Sequence, residues 1–138
     1  MICIIRIRGR VGLKEEANET LNRLRLRRKY ACVVVKESRE TLGMVNKVKN
    51  FLAFGELDGE TFEKLIEKRG RALDKKKKIN PKAIVEGLEN GKTHEEMGLK
   101  PFFRLHPPRK GIKSKLHYPK GALGNHGKKI SQLLERML

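Results

Sequence analysis

The chain has 138 residues, a net charge of +17 and a pI ≈ 10.2. This length allows one domain, or one small domain with an extension, and a single modest core. So large a positive charge favours an anionic partner, namely nucleic acid, an anionic membrane surface or an acidic protein. No stretch approaches the roughly 20 apolar residues that span a bilayer, and the N-terminus lacks a signal-peptide pattern. We therefore expect an intracellular protein with no membrane partner.

The positive charge is divided between two regions. Residues 1–52 carry a net charge of +8, residues 53–96 a net charge of 0, and residues 97–138 a net charge of +9. Residues 97–134 contain no Asp or Glu but nine Lys or Arg and three His. This acid-free segment is typical of an arm that lies along a polyanion, while the alternative is a solvated, disordered tail.

The first half of the sequence predicts a strand, a helix, a strand, a short helix and a strand. Apolar residues alternate with Arg6 and Arg8 in the first strand, so we expect Ile5 and Ile7 on one face and the two arginines on the other. The second helix is expected to begin near Thr41 or Leu42. Two helices packed on one small sheet would bury both apolar stripes in one layer interface. The predicted elements are a strand at 2–7, a helical stripe at 13–24, a strand at 31–36, a helix up to 50 and a strand at 51–57.

The second half predicts helices and a basic loop. Thr61 is expected to cap one helix, and Asn80-Pro81 to begin another. Residues 102–105 form a candidate strand that the following prolines end, and residues 109–129 are expected to be extended or looped. Residues 130–138 repeat apolar side chains at helical spacing, which predicts a closing amphipathic helix. The basic segment would then be held at both ends rather than being a free tail.

The candidate RNA-binding residues are cations, histidines and polar residues on loops and helix ends. Lys and Arg near phosphates release counterions, and Phe102, Phe103 and Tyr118 offer faces on which unpaired bases stack. No recognition helix of a DNA reader is evident, which favours RNA. The candidates are Arg8, Arg10, Arg23, Arg25, Arg27, Arg28, Lys29, Arg39, Gly43, Met44, Asn46, Lys47, Arg69, Arg104, His106, Arg109, Lys110, Lys113, Lys115, His117, Lys120, His126 and Lys128.

The sequence contains few signs of catalysis or of a metal site. It has no P-loop, dinucleotide fingerprint or H-E-x-x-H motif. Cys3 and Cys32 form no C-x-x-C pair and are expected to be buried free thiols. The histidines at 106, 117 and 126 are widely spaced among cations, and no third group orients an acid–base pair. We expect no catalytic residue, metal, cofactor or small-molecule substrate; an RNA-processing enzyme that uses these histidines is the alternative.

Five segments together resemble a known family. They are residues 2–9 (ICIIRIRG), 43–48 (GMVNKV), 51–56 (FLAFGE), 68–70 (KRG) and 105–111 (LHPPRKG). In this order they resemble the large-subunit ribosomal protein L-thirty family in its archaeal form, whose eukaryotic relative is called L-seven. The resemblance spans nearly the whole chain. One departure is Leu42, where family members often carry Arg, so that one contact with RNA is either missing or moved to Arg39.

The resemblance implies a fold, a role and partners. The fold is α+β: a small antiparallel β-α-β-α-β sheet, similar to a ferredoxin-like fold, packed by two helices. Residues 1–57 would be the RNA-binding core, and residues 58–138 an extension that holds helices, the basic loop at 97–129 and the closing helix. The implied role is structural and non-catalytic, in cytoplasmic ribosomes. The implied partners are large-subunit ribosomal RNA, with the small 5S RNA as one candidate, and neighbouring ribosomal proteins.

Two further interpretations of the sequence remain open. A free RNA chaperone or regulator would be equally basic. In addition, residues 41–43 open a predicted helix, and the amides at a helix start can bind a phosphate.

Overall fold

A computed structural model describes residues 2–8, 14–36, 38–70, 80–90, 102–108 and 123–137. Within them, one five-stranded sheet has the strand order β4-β2-β1-β3-β5. Its central strand β1 runs antiparallel to both neighbours, β2 and β3. The strands are β1 (Ile2–Arg6), β2 (Ala31–Val35), β3 (Leu52–Glu56), β4 (Phe103–Arg104) and β5 (Gly124–Asn125). The helices are α1 (Glu15–Arg23), α2 (Arg39–Lys47), α3 (Gly59–Arg69), α4 (Pro81–Glu89) and α5 (Ile130–Met137).

Helices cover the sheet on both sides. On the first face, Ile2 and Ile4 of β1 pack in a cluster with side chains of α1 and α2. On the second face, Cys3 and Ile5 pack in a larger cluster with side chains of α3, α4 and α5. The unbroken apolar run of β1 is typical of a strand buried on both sides. The two helices expected on the sheet, α1 and α2, therefore form one helical layer. Helices from the second half of the chain form a second layer on the other face.

The expected α+β fold is confirmed, including its antiparallel β-α-β-α-β core. The strand predicted at 102–105 is found as β4, which pairs antiparallel with β2. Asn80 and Pro81 begin α4 as expected, with proline in the first turn, where a missing N–H costs nothing. The closing helix is α5, and its Ile130, Leu133, Leu134 and Met137 are all buried.

Two helix starts differ from the prediction, because side chains just before them act as caps. The Oγ of Ser38 accepts a hydrogen bond from the Thr41 amide at 3.1 Å, so α2 begins at Arg39 rather than near Thr41. The amide of Leu42 bonds to the Ser38 carbonyl. The predicted phosphate site on free amides at 41–43 is therefore wrong for these two groups. Likewise, Asp58 rather than Thr61 caps α3, and its Oδ1 accepts from the Thr61 amide at 3.1 Å.

The end of the predicted basic loop belongs to the sheet. Strand β5 pairs parallel with β3, and the His126 amide bonds to the Phe54 carbonyl at 2.7 Å. A side chain at Gly55 would collide with the Gly127 carbonyl and would place its Cβ 2.9 Å from that of Ile130. Glycine at 55 therefore lets the start of α5 lie directly on β3. Within the segment expected to be extended or looped, residues 124–125 are thus the extended strand β5 and residues 127–129 a short 3₁₀ turn, and residues 109–122 lie outside the described part of the chain.

Candidate nucleic-acid interface

The site begins with Arg6, which the alternating pattern of β1 placed on the face opposite Ile5 and Ile7. Arg6 does point to the first face, but that face is covered, and its side chain is 0% exposed. Its Nε donates to the Arg8 carbonyl at 2.9 Å and its Nη1 to the Leu26 carbonyl at 2.7 Å. Its own carbonyl accepts from the Tyr30 amide at 2.7 Å. A buried guanidinium thus fastens residues 24–30, which we call the basic turn, to the sheet.

The basic turn opens with a Schellman arrangement at the end of α1. The Leu26 amide bonds to the Leu21 carbonyl at 2.9 Å, and the Arg25 amide bonds to the Asn22 carbonyl at 3.0 Å. Leu21 and Leu26 are both fully buried, which supplies the apolar contact that accompanies this motif. Arg25 takes the left-handed position with φ 64, where glycine is usual. The turn therefore has a fixed backbone and holds an arginine at a position that costs an L-residue energy.

Cations stand over aromatic rings around the same part of the sheet. The guanidinium of Arg8 lies 6.0 Å from the Phe51 ring centroid, and that of Arg104 lies 5.8 Å from the ring of Phe102. The ammonium of Lys29 lies 5.1 Å from the Tyr30 ring. The three aromatic residues are half-buried. Each ring therefore positions a charge at the surface while its own body packs against the protein.

Strand directions place these groups at one end of the sheet, which we call the basic end. Strand β1 ends here at Arg6, and β2 begins here, because Ala31 pairs with Arg104 of β4. Leu52, opposite Arg6, begins β3 at the same end. Since β5 is parallel to β3, it also begins toward this end. In the sequence, residues 109–122 lie between β4 and β5. The last residue of β4, Arg104, and the first residue of β5, Gly124, therefore both lie at the basic end of the sheet.

Several predicted candidates lie on exposed surface elsewhere. Gly43, Asn46 and Lys47 are exposed on α2, while Met44 and Leu42 are half-buried against the first-face cluster. The other described candidates on helices or loops outside the basic turn are Arg23 at the end of α1, Arg39 at the start of α2, Arg69 at the end of α3 and Lys128 after β5.

The two described histidines among the candidates bond to the chain itself. His126 is 8% exposed, and its amide is part of the contact with β3. The His106 Nδ1 lies 2.6 Å from the Pro107 carbonyl oxygen, and its amide bonds to the Met137 carbonyl. These contacts hold the chain before and after residues 109–122 against α5 and β3, respectively. The remaining candidates, outside the described residues, are Arg10, Arg109, Lys110, Lys113, Lys115, His117 and Lys120.

The cysteines are buried free thiols, as expected. Their Sγ atoms lie 3.4 Å apart on adjacent strands within the second-face cluster. Burial, and then the hydrogen bond with the Cys3 thiol, raise the pKa of the Cys32 thiol well above its ordinary value. Among the described residues, no group of three or more His, Cys, Asp or Glu could hold a metal. Within the same part of the chain, no helix is long and apolar enough to cross a membrane.

Comparison with known proteins decides the family. The sequence profile of the family described as "Ribosomal protein L30p/L7e" matches residues 2–52. A protein of Archaeoglobus fulgidus named "Large ribosomal subunit protein uL30" is 40% identical, with 99% of each chain aligned. Proteins of the same name from Methanocella arvoryzae and Nanoarchaeum equitans are 37% and 36% identical, over 99–100% of this chain and 99% of theirs. The chain belongs to the uL30 family.

The two comparisons cover different parts of the fold. The L30p/L7e profile ends at residue 52, where β3 begins. The uL30 relatives align over the whole chain, including the helices that cover the second face. The resemblance to an archaeal L-thirty protein, stated from five segments, is therefore confirmed. The sequence reasoning missed Arg6, the φ 64 position of Arg25 and the covered second face. The run of apolar residues at 2–5 was the available signal for the covered face.

Proposed function

We propose that the chain is a structural, non-catalytic constituent of the large ribosomal subunit that binds ribosomal RNA. Its full-length relatives are named as proteins of that subunit. On this proposal its partners are large-subunit RNA and neighbouring ribosomal proteins, in cytoplasmic ribosomes. No cofactor or small-molecule substrate enters the role.

The observation that carries the RNA contact is the convergence of charge at the basic end. The basic turn brings three exposed arginines and an exposed lysine, namely Arg25, Arg27, Arg28 and Lys29. Arg104 ends β4 at the same end of the sheet, and residues 109–122, flanked by β4 and β5, carry only positive charges. Phosphate contacts from such groups position a protein on RNA without reading its sequence. The described residues proposed to bind RNA at the basic end are Arg8, Arg25, Arg27, Arg28, Lys29 and Arg104. The cations within residues 109–122 are proposed, from the sequence, to bind RNA as well.

The two parts of the chain then have different tasks in the proposal. Residues 1–57 form the RNA-binding core, because they contain the basic turn and its anchor Arg6. Residues 58–138 form an extension that covers the second face of the sheet and carries the acid-free segment. The contact of β5 with β3 ties the second part to the first.

Co-sedimentation tests the ribosomal role. We expect the tagged chain to remain with large subunits through a high-salt wash, because a constituent held between folded RNA and neighbouring proteins does not depend on salt-sensitive phosphate contacts alone. Recovery only in the soluble fraction would contradict the proposal. Equal affinity for unrelated RNAs, with no slowly dissociating site, would favour a free RNA chaperone instead.

The salt dependence of binding tests the basic loop. Changing Arg104, Arg109 and Lys110 to Gln should lower RNA affinity and reduce the slope of log K against log [salt] by about 2, since each phosphate contact contributes about 0.7. The matched control replaces Lys64, Lys68 and Lys82, which are exposed on α3 and α4. It removes the same charge and should change the slope much less. Equal slopes for both triple variants would contradict the assignment.

Cross-linking within intact subunits identifies the RNA partner. Contacts from the basic turn should map to RNA, and their positions will show which large-subunit helices are bound and whether the 5S RNA is among them. Cross-links of the basic turn to protein alone would contradict an RNA interface there.

A further inference from the structure

A small groove lies on the first face beside the basic turn. It has a volume of about 240 Å³ and is lined by Val33 and Val35 of β2, Leu24 after α1, and Met44 of α2. Arg23, Arg25 and Thr41 complete the lining. Pockets for cofactor-sized ligands usually measure roughly 300–1,000 Å³, so this groove suits a single flat group that inserts partway.

An aromatic ring extends the apolar surface on the same face. Phe103 pairs with Cys32, so the preceding Phe102 comes opposite Val33, on the strand next to the groove. Phe102 is half-buried and packs against the same cluster as Val35 and Met44. The guanidinium of Arg104 stands over its ring. The Phe102 ring and the Arg104 guanidinium over it therefore lie on the strand next to the groove, toward the basic end.

The rim of the groove is positive. Arg23 is held by Glu19 at 2.9 Å, but the two side chains are 70% and 62% exposed, so the pair is weak and can exchange for a phosphate. Arg25 is exposed and occupies its φ 64 position on a turn fixed by Arg6. The Schellman turn at the end of α1 therefore sets the backbone position from which the Arg25 side chain reaches the rim.

We propose that this groove receives one unpaired base of the RNA, with Arg25 and Arg23 on the flanking phosphates. The base would lie on the Val33 and Val35 floor between Leu24 and Met44. This inference rests on the proposed RNA-binding function and adds a base-stacking site to its phosphate contacts. Apolar walls with a guanidinium rim match the two parts of a nucleotide, a flat apolar base and an anionic phosphate. Folded double-stranded RNA would offer only the phosphate to this site.

The test uses two RNA probes of equal charge. One is a single-stranded octamer of uridines, and the other is the same octamer with abasic riboses at four positions. Phosphate binding is the same for both, so any difference in the dissociation constant reports contact with bases. For the full-length chain we expect the base-bearing octamer to bind about tenfold more tightly, in the range measured for one stacked base.

Two variants separate the phosphate contact from the base contact. Arg25→Gly should weaken both octamers by the same factor, because it removes a phosphate contact that they share, and should leave the Tm unchanged or higher, because glycine favours the left-handed position. A purely structural role for Arg25 would lower the Tm instead. Met44→Ala removes one wall without changing charge, so it should reduce the difference while leaving the salt slope unchanged. Lys82→Gln on α4 is the control and should leave both probes unaffected.

The outcomes separate this inference from the proposed function. Arg28→Gln, in the same turn but not in the groove lining, should weaken both probes equally. Equal binding of the two octamers by the unchanged chain, or binding of neither, overturns the groove as a base site. A tenfold difference that persists in full in Met44→Ala also overturns it, because the base would then be bound elsewhere. Loss of co-sedimentation with large subunits would instead count against the ribosomal role.

Discussion

The two faces of the sheet are covered in different ways. On the second face, α3, α4 and α5 pack apolar side chains onto the strands. On the first face, α1 and α2 leave room for a buried arginine, a left-handed turn and a groove. The comparison shows that the two faces of one sheet differ in what they contribute. The second face stabilises the strands, and this stability permits strain and buried charge on the first.

The largest effect should come from the second face. Leu134 of α5 is 0% exposed, and Leu134→Ala should lower the free energy of unfolding by about 3 kcal/mol, because it leaves a cavity. Urea unfolding measures this change. The affinity of the folded variant for RNA should not change. A parallel loss of affinity, at a temperature where the variant remains folded, would contradict the division between the faces.

On the first face, Arg6→Met should lower the unfolding free energy by about 2 kcal/mol. The Leu26 and Arg8 carbonyls lose their guanidinium donors, and a buried acceptor without a partner is costly. Unlike Leu134→Ala, this variant should also bind RNA more weakly, although it removes no exposed charge, because the basic turn loosens. Arg6→Lys keeps the charge but lacks the fork of donors. Full recovery of stability and affinity in Arg6→Lys would contradict the anchoring role.

Two helix caps provide a matched pair across the faces. Asp58→Ala before α3 and Ser38→Ala before α2 should each cost about 1 kcal/mol at neutral pH. The Thr61 hydroxyl, with backbone N–H groups and Ser131, holds the pKa of Asp58 below its ordinary value of 3.8. A carboxyl with a lowered folded-state pKa contributes stability above its unfolded value, and this is lost as the pH falls through the folded-state value.

The pH dependence should therefore distinguish the two caps. The difference between the unchanged chain and Asp58→Ala is full above pH 3.8 and should shrink below it, whereas that for Ser38→Ala should stay constant. Urea unfolding at stepped acidic pH measures both. A constant Asp58→Ala difference down to the lowest pH at which the chain folds would count against the carboxylate as the cap.

The smallest effect is expected from the thiols. Burial raises the pKa of Cys32 and keeps it protonated, and the thiolate is the reactive form. An aromatic disulfide reagent should therefore not label the native chain, while both cysteines react in denaturant. Labelling of the native chain faster than it unfolds would show that the second face opens locally near β1.

Local sequence patterns predicted much of the fold, but the prediction failed where contacts between distant parts of the chain determine burial or strand pairing. The alternation of β1 placed Arg6 correctly on the first face, yet it could not show that α1 and the basic turn cover that face. The stripe at 130–137 predicted α5 because its apolar spacing is intrinsic to the helix. Strand β5 has only two residues and depends on its pairing with β3, so no periodicity could reveal it.

The candidate site was predictable in charge but not in shape. Counting cations identified the basic turn and the acid-free segment. The groove arises from residues distant in the chain, such as Leu24, Val35 and Met44, and its curvature depends on how α1 and α2 cross the sheet. The φ value of Arg25 likewise has no local signature, because glycine rather than arginine usually marks this position.

Strands β4 and β5 also affect the tendency of the free chain to aggregate. The three longer strands alone would leave β2 and β3 with unpaired backbone groups, which recruit strands from other molecules and cause aggregation. Each of these two strands is instead paired over part of its length with a two-residue strand from the last third of the chain. Strands this short offer little for a further strand to pair with. The segment proposed to bind RNA, residues 109–122, is thus flanked in the sequence by two short strands that limit pairing with other molecules.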